Sequence, residues 1–183
     1  MAPIENSEER YGIIAILLHW SMAILVIGLA ALGIYMVMLP DVGFNSEKIV
    51  LIIFHKEVGL LVFVLLLVRW VWRATQTMPA LDSQLPDWQK IAARSVHLIF
   101  YFIIFALPIT GWVMSSAAGI PVSFFGIFTL HDFVRHDDLL FHQLIELHRW
   151  LGFALVFFIF IHVSAALWHH FVFKDDTLRK MLP

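Results

Sequence analysis

Apolar residues in this chain fall into four long runs separated by short polar stretches, at about 13–39, 49–72, 92–115 and 147–173. The first ends before Pro40, the second at Arg73 and the fourth at Lys174. At ~1.5 Å of helix rise per residue, each run is long enough to cross the ~30 Å hydrocarbon layer of a bilayer. A backbone that crosses lipid must satisfy its own hydrogen bonds, and the strict alternation a membrane barrel needs is absent. The pattern therefore predicts an all-α integral membrane protein, a bundle of four transmembrane helices. A fifth apolar stretch, 120–130, is too short to span and contains Pro121 and Gly126. It is expected to lie at the membrane interface, within the loop between helices three and four.

Composition sharpens this picture. Of 183 residues, 61% are hydrophobic and only 14% charged, against roughly a quarter charged in soluble domains. A chain this small cannot hide so much apolar surface in a water-soluble core. A net charge of −2 gives no reason to expect nucleic acid as a partner. The absence of cysteine excludes disulfides, iron–sulfur clusters and covalent c-type haem attachment, so any haem must be held non-covalently. The N-terminus is acidic and lacks a small-residue cleavage site after the first run, so it is not expected to be a cleaved signal.

The basic residues predict an orientation. Arg10, Arg69, Arg73, Lys90, Arg94, Lys174, Arg179 and Lys180 fall on one side, and Lys48, Lys56, Arg135 and Arg149 on the other. This split places both termini in the cytoplasm. Trp20, Trp70, Trp72, Trp88 and Trp168 lie near the same side, as an aromatic belt would.

Ten histidines are present, and ionisable residues inside spanning segments are candidates for function. His148 and His162 lie fourteen residues apart on the fourth helix. At ~100° per residue this brings the two imidazoles to within ~40° of one face, ~21 Å apart along the axis. A bis-histidine haem needs a second imidazole at the same depth on a facing helix. Helix two runs inward with His55 near its outer end, level with His148. Helix one runs outward with His19 near its inner end, level with His162. Two pairs follow, His55 with His148 for an outer haem and His19 with His162 for an inner one.

A haem plane standing against a helix also needs a small residue one turn from its ligand. Four residues after His19, His55, His148 and His162 stand Ala23, Gly59, Gly152 and Ala166. His97, His131, His142, His169 and His170 are followed at that spacing by larger residues. His97, at the depth of the inner pair, competes with His19 as a ligand. Because Tyr101 follows it, it is read as a haem-propionate or supporting partner. Arg69 follows His55 by fourteen residues, so it faces the inner site and is read as a propionate partner in preference to a snorkelling anchor. For Arg73 the anchor role is preferred.

The residues His19-Trp20, His55 with Gly59, Arg69, His97 with Tyr101 and Leu107-Pro108-x-x-Gly111 form a recognisable set. So do His148…Gly152…His162, Ala165-Ala166-Leu167-Trp168-His169-His170 and the tail Lys174-Asp175-x-Thr177-Leu178. With these the chain resembles the bacterial cytochrome b561 family over nearly its whole length. The resemblance implies one membrane domain over 1–183, multi-pass in the bacterial inner membrane. It implies two b-type haems in the bundle core, with His19, His55, His148 and His162 as axial ligands. It further implies electron traffic between superoxide, or another one-electron donor outside, and ubiquinone. In similar superoxide oxidases a histidine beyond the last ligand lies by the quinone, which here is His169. The alternative for His169 is a helix end favoured by the helix dipole.

An electron-transfer subunit serving a partner redox protein is the alternative function. A histidine-bearing transporter is disfavoured, because Pro108-x-x-Gly111 is the one candidate helix break. One feature fits an anionic substrate poorly. Against four basic residues, the outer loops carry Asp41, Glu47, Glu57, Asp132, Asp137, Asp138 and Glu146.

Overall fold

The computed structural model describes residues 3–40, 45–80 and 85–182. Asp41, one of the acidic residues noted above, lies outside them. The described chain forms four long helices: α1 (Ile13–Met38), α2 (Ser46–Thr75), α3 (Asp87–Ala117) and α4 (Asp138–Trp168). A single π-helical turn, His169–Phe173, continues α4. All four helices are long and apolar enough to cross a membrane, and at most 17% of each apolar window is buried within the bundle. Side chains such as Phe160 and Leu98 point outward, more than 70% exposed. That is the surface of a protein whose solvent is lipid.

The helices outrun the apolar segments. α2 starts three residues before its apolar run, where Asn45 caps it by accepting the Lys48 N–H at 3.0 Å. α4 starts nine residues before its run, where Asp137 accepts the Leu140 N–H at 3.0 Å. In both, a carboxylate in the first turn (Glu47, Asp138) complements the helix dipole. These polar turns carry the helices beyond the hydrocarbon depth. Pro108 is accommodated inside α3 without ending it.

Between α3 and α4 the fifth apolar stretch folds into a small antiparallel hairpin, β1 (Ser123–Phe124) and β2 (Phe128–Thr129). Phe125 and Gly126 take positive φ of 48° and 71° at its turn, the geometry of tight hairpin turns. Phe125, Ile127 and Phe128 are exposed.

At the opposite end the polypeptide ties itself together. The Asn6 N–H donates to Gln76 Oε1 at 3.0 Å. The Trp20 indole donates to the Met181 carbonyl at 2.7 Å, and Lys180 Nζ to the Ala80 carbonyl at 2.9 Å. Both ends of the described chain thus lie at one end of the bundle.

α3 packs closely on α4, α1 on α2 and α2 on α3, whereas α1 and α4 touch sparingly and α2 barely meets α4. The buried core, Met22, Val26, Val62, Leu66, Ile103 and Leu155, sits at mid-height. The paired histidines of α1 with α4 and of α2 with α4 flank this core.

Candidate cofactor site

His19, His55, His148 and His162 are all half-buried, whereas His97, His131, His136 and His142 are exposed. The structure brings the first four into two pairs. The His19 and His162 ring centroids are 6.3 Å apart, with the planes at 65°. The His55 and His148 centroids are also 6.3 Å apart, with the planes at 69°. Two imidazoles bound through nitrogen to opposite faces of one metal, with bonds of about 2.0 Å, place their ring centres about 6.3 Å apart. Both pairs thus have the separation that a shared iron requires.

His97 makes a different contact. Its centroid lies 5.6 Å from that of His162, too short for a metal between them. The structure therefore places His97 beside the inner pair, edge-on to one of its members.

The space around the outer pair suits a flat group. A Cβ added to Gly59 or to Gly152 would meet nothing within 4 Å, so both glycines border open volume one turn from His55 and His148. Gly33 and Gly111 do the opposite, approaching the imidazoles themselves. A Cβ at Gly33 would lie 3.6 Å from His55 Cε1, and one at Gly111 would lie 3.4 Å from His148 Cε1. These two glycines let α1 and α3 back the two rings. With the matched centroid distances, the open volume and the nitrogen donors, the residues present fit haem.

The partners of the other ring nitrogens differ from site to site. Thr110 Oγ1 donates to the Leu107 carbonyl at 2.9 Å and lies 3.0 Å from His148 Nδ1. With its own proton committed, the hydroxyl accepts from Nδ1–H, which leaves His148 Nε2 with its lone pair. That is the tautomer a metal ligand needs. His55 Nδ1 is buried and has no hydrogen-bond partner among the described residues. At the inner pair, the Arg69 guanidinium reaches His19 Nδ1 with two nitrogens, at 3.2 and 3.3 Å. Arg69 also lines a small cavity with Tyr11, Trp72, Arg73, Tyr101 and Met181. The Arg73 guanidinium stands over the Tyr101 ring, 5.8 Å from its centroid. Burial raises the Tyr11 phenol above its ordinary pKa, against the opposing pull of Arg73 and Arg69.

His169 does not join either pair. It opens the π turn after α4, and its Nδ1 meets Asp175 Oδ2 at 2.5 Å. Sequence reasoning missed Thr110, Gly33, Gly111 and Asp175. The motif Leu107-Pro108-x-x-Gly111 contained the signal for two of them, because Thr110 and Gly111 lie within one turn of the helix-distorting Pro108.

Residues 10–183 match the family described as prokaryotic cytochrome b561. The chain is 38% identical to cytochrome b561 homolog 2 of Escherichia coli (strain K12), over 97% of this chain and 93% of that protein. It is 31% identical to cytochrome b561 homolog 1 of the same organism, over 70% of this chain and 73% of the relative. It is 27% identical to the probable superoxide oxidase CybB of Yersinia pestis, over 96% and 97%.

Proposed function

The chain belongs to the prokaryotic cytochrome b561 family of haem-b electron-transfer proteins of the bacterial inner membrane, and from that premise we propose that it carries single electrons between an outer donor and ubiquinone through two haems. The observation that carries this reading is the pair of equal imidazole separations, 6.3 Å at each end of α4. His55 and His148 hold the outer haem, and His19 and His162 the inner one. Each haem, when bound between its two histidines, would supply a one-electron carrier.

The protein's own groups do the rest. Thr110 fixes the His148 tautomer and the orientation of its ring. A guanidinium only donates hydrogen bonds, so Arg69 and an Nδ1–H on His19 cannot share one. Iron at His19 Nε2 requires that Nδ1–H, which releases Arg69 to pair with a haem propionate. His97, against His162, supports the same inner site. The core between the pairs keeps water from the path between the haems. With both termini in the cytoplasm, as the basic residues suggest, the inner haem faces the quinone pool, and His169 lies seven residues beyond its ligand His162.

Superoxide is the donor this reading favours, because a relative matching nearly end to end is named a probable superoxide oxidase. Each superoxide gives one electron and leaves as dioxygen, and two electrons with two protons turn the quinone into quinol. A second reading rests on charge. Arg149 is paired with Glu146 at 2.7 Å, and the outer loops carry more acid than base. A cationic partner redox protein would find that face attractive, and an anion would not.

One experiment separates the two. The purified protein is examined by reduced-minus-oxidised spectroscopy and then given superoxide, with and without a ubiquinone analogue. Reduction of the haems by superoxide, reversed by quinone, is the expected result. Haems inert to superoxide yet quickly reduced by quinol would point to the partner-protein reading. Absence of haem would refute both.

A further inference from the structure

The tail after α4 carries chemistry that the haem assignment does not use. Lys174 takes a left-handed conformation (φ 58°) and donates its N–H to the His169 carbonyl. This turn folds the chain back, and the Asp175 N–H reaches the same carbonyl at 3.3 Å. The Asp175 carboxylate thereby comes under the imidazole of His169. Its Oδ2 meets His169 Nδ1 at 2.5 Å, and its Oδ1 accepts the Thr177 N–H at 2.9 Å. Both side chains are largely enclosed, 16% exposed for His169 and 10% for Asp175. Burial alone would raise the Asp175 pKa, yet the hydrogen bonds from His169 and Thr177 hold it below the ordinary carboxylate value. An ionised carboxylate only accepts, so His169 carries a proton on Nδ1, and Nε2 is its exchangeable position.

We infer that Asp175 is a positioning residue for a proton-donating His169, the two forming a carboxylate–imidazole relay that delivers a proton to a quinone carbonyl at the inner end of the bundle. The inference rests on the proposed quinone reduction. His169 follows His162 by seven residues, so it lies on nearly the same helix face, ~10 Å further along the axis. In the step, the N–H bond at Nε2 of the imidazolium breaks and an O–H bond forms on the quinone. The two electrons come from two outer donors, and the second proton comes from cytoplasmic water. Asp175 keeps the Nδ1–H throughout and stabilises the imidazolium before transfer. The π turn at His169–Phe173 belongs to a class of distortion frequent at functional sites.

The test uses full-length, haem-loaded protein and compares wild type with Asp175→Asn, Asp175→Glu and, as a surface control, Asp176→Asn. Asp176 is exposed and pairs with Arg179. Haem spectra and haem reduction by the donor report folding and the outer half-reaction, and should match wild type in all variants. Reoxidation of the haems by a short-chain ubiquinone should lose about a hundredfold in kcat in Asp175→Asn, with KM unchanged. Asp175→Glu should recover most of the loss, and Asp176→Asn should behave as wild type. Independently of turnover, nitrogen-15 NMR of histidine-labelled protein should show His169 protonated at Nδ1 in wild type, with that strongly hydrogen-bonded proton lost in Asp175→Asn. An unchanged kcat in Asp175→Asn, or an Nδ1 without a proton in wild type, overturns the relay. Wild type whose reduced haems ignore quinone overturns the quinone reaction itself, and the NMR result then decides separately whether the pair exists.

Discussion

Replacing Thr110 by valine keeps the shape of the side chain and deletes its hydroxyl. The hydroxyl lies 3.0 Å from His148 Nδ1 and gives its own proton to the Leu107 carbonyl, so it accepts from the imidazole. A ligand whose remote N–H is hydrogen-bonded is more basic and favours ferric iron. Losing the bond should therefore raise the reduction potential of the outer haem. A hydrogen bond of this kind has a net worth of about 0.5–1.5 kcal/mol. For one electron, at ~59 mV per tenfold change, that converts to about 20–65 mV. An upward shift within that range is expected. The assay is a spectroelectrochemical titration of purified protein, fitted as two one-electron components. Thr110→Ser should leave both potentials in place. A downward shift, no shift, or an equal shift of both components would refute the assignment of His148 and its tautomer.

His148→Ala and His162→Ala should each lose one pigment of the two, roughly halving the α-band, whereas His97→Ala should keep both; a full α-band in His148→Ala would contradict the pairing. Gly152→Leu fills the open volume beside His148, and should abolish the outer haem while circular dichroism shows an intact bundle. The hydrogen bonds from His169 and Thr177 hold the Asp175 carboxyl below its ordinary pKa of 3.8 in the folded protein. The stability it contributes is therefore whole above that value and fades as pH falls through the lower folded one. Wild type and Asp175→Asn should accordingly differ in melting temperature near neutral pH and converge as pH falls below about 4.

Much of this was legible before any coordinates, because lipid imposes simple rules. Long apolar runs have to be helices, and four of them were placed by hydropathy alone. The ends were not, because hydropathy is blind to polar turns that leave the hydrocarbon. α4 begins at Asp138, in a segment where Leu139, Leu140, Phe141 and Leu144 alternate with His142, Gln143 and Glu146. The histidine pairs were legible because residues fourteen apart share a face whatever the neighbouring helices do. Thr110, Gly33 and Gly111 were not. Their roles depend on how α1 and α3 are rotated about their own axes, which periodicity leaves open in helices apolar on every side. Asp175 was hidden by Lys174, whose left-handed turn has no signal in a residue that is not glycine.

On the proposed reading, an asymmetry between the pairs favours electron flow from the outer haem to the inner one. The outer pair has a hydroxyl at one ring, and at the other an Nδ1 with no hydrogen-bond partner among the described residues. The inner pair has the Arg69 guanidinium against His19. Reduction adds a negative charge to a haem, so a nearby cation favours the reduced form and raises the potential. Released from His19 once iron binds there, the guanidinium stays beside the inner site, roughly 8 Å or more from the metal position. At an effective dielectric of ~20 the interaction is about 2 kcal/mol, or about 100 mV for one electron. A propionate paired with Arg69 offsets part of this, so the figure is a ceiling. Arg69→Gln should then lower the inner potential by tens of millivolts, spare the outer one, and slow transfer from outer to inner haem in a rapid-mixing experiment with superoxide. If the outer component moved instead, the inner haem would not lie between His19 and His162, and the downhill path toward the end that carries both termini would lose its physical basis.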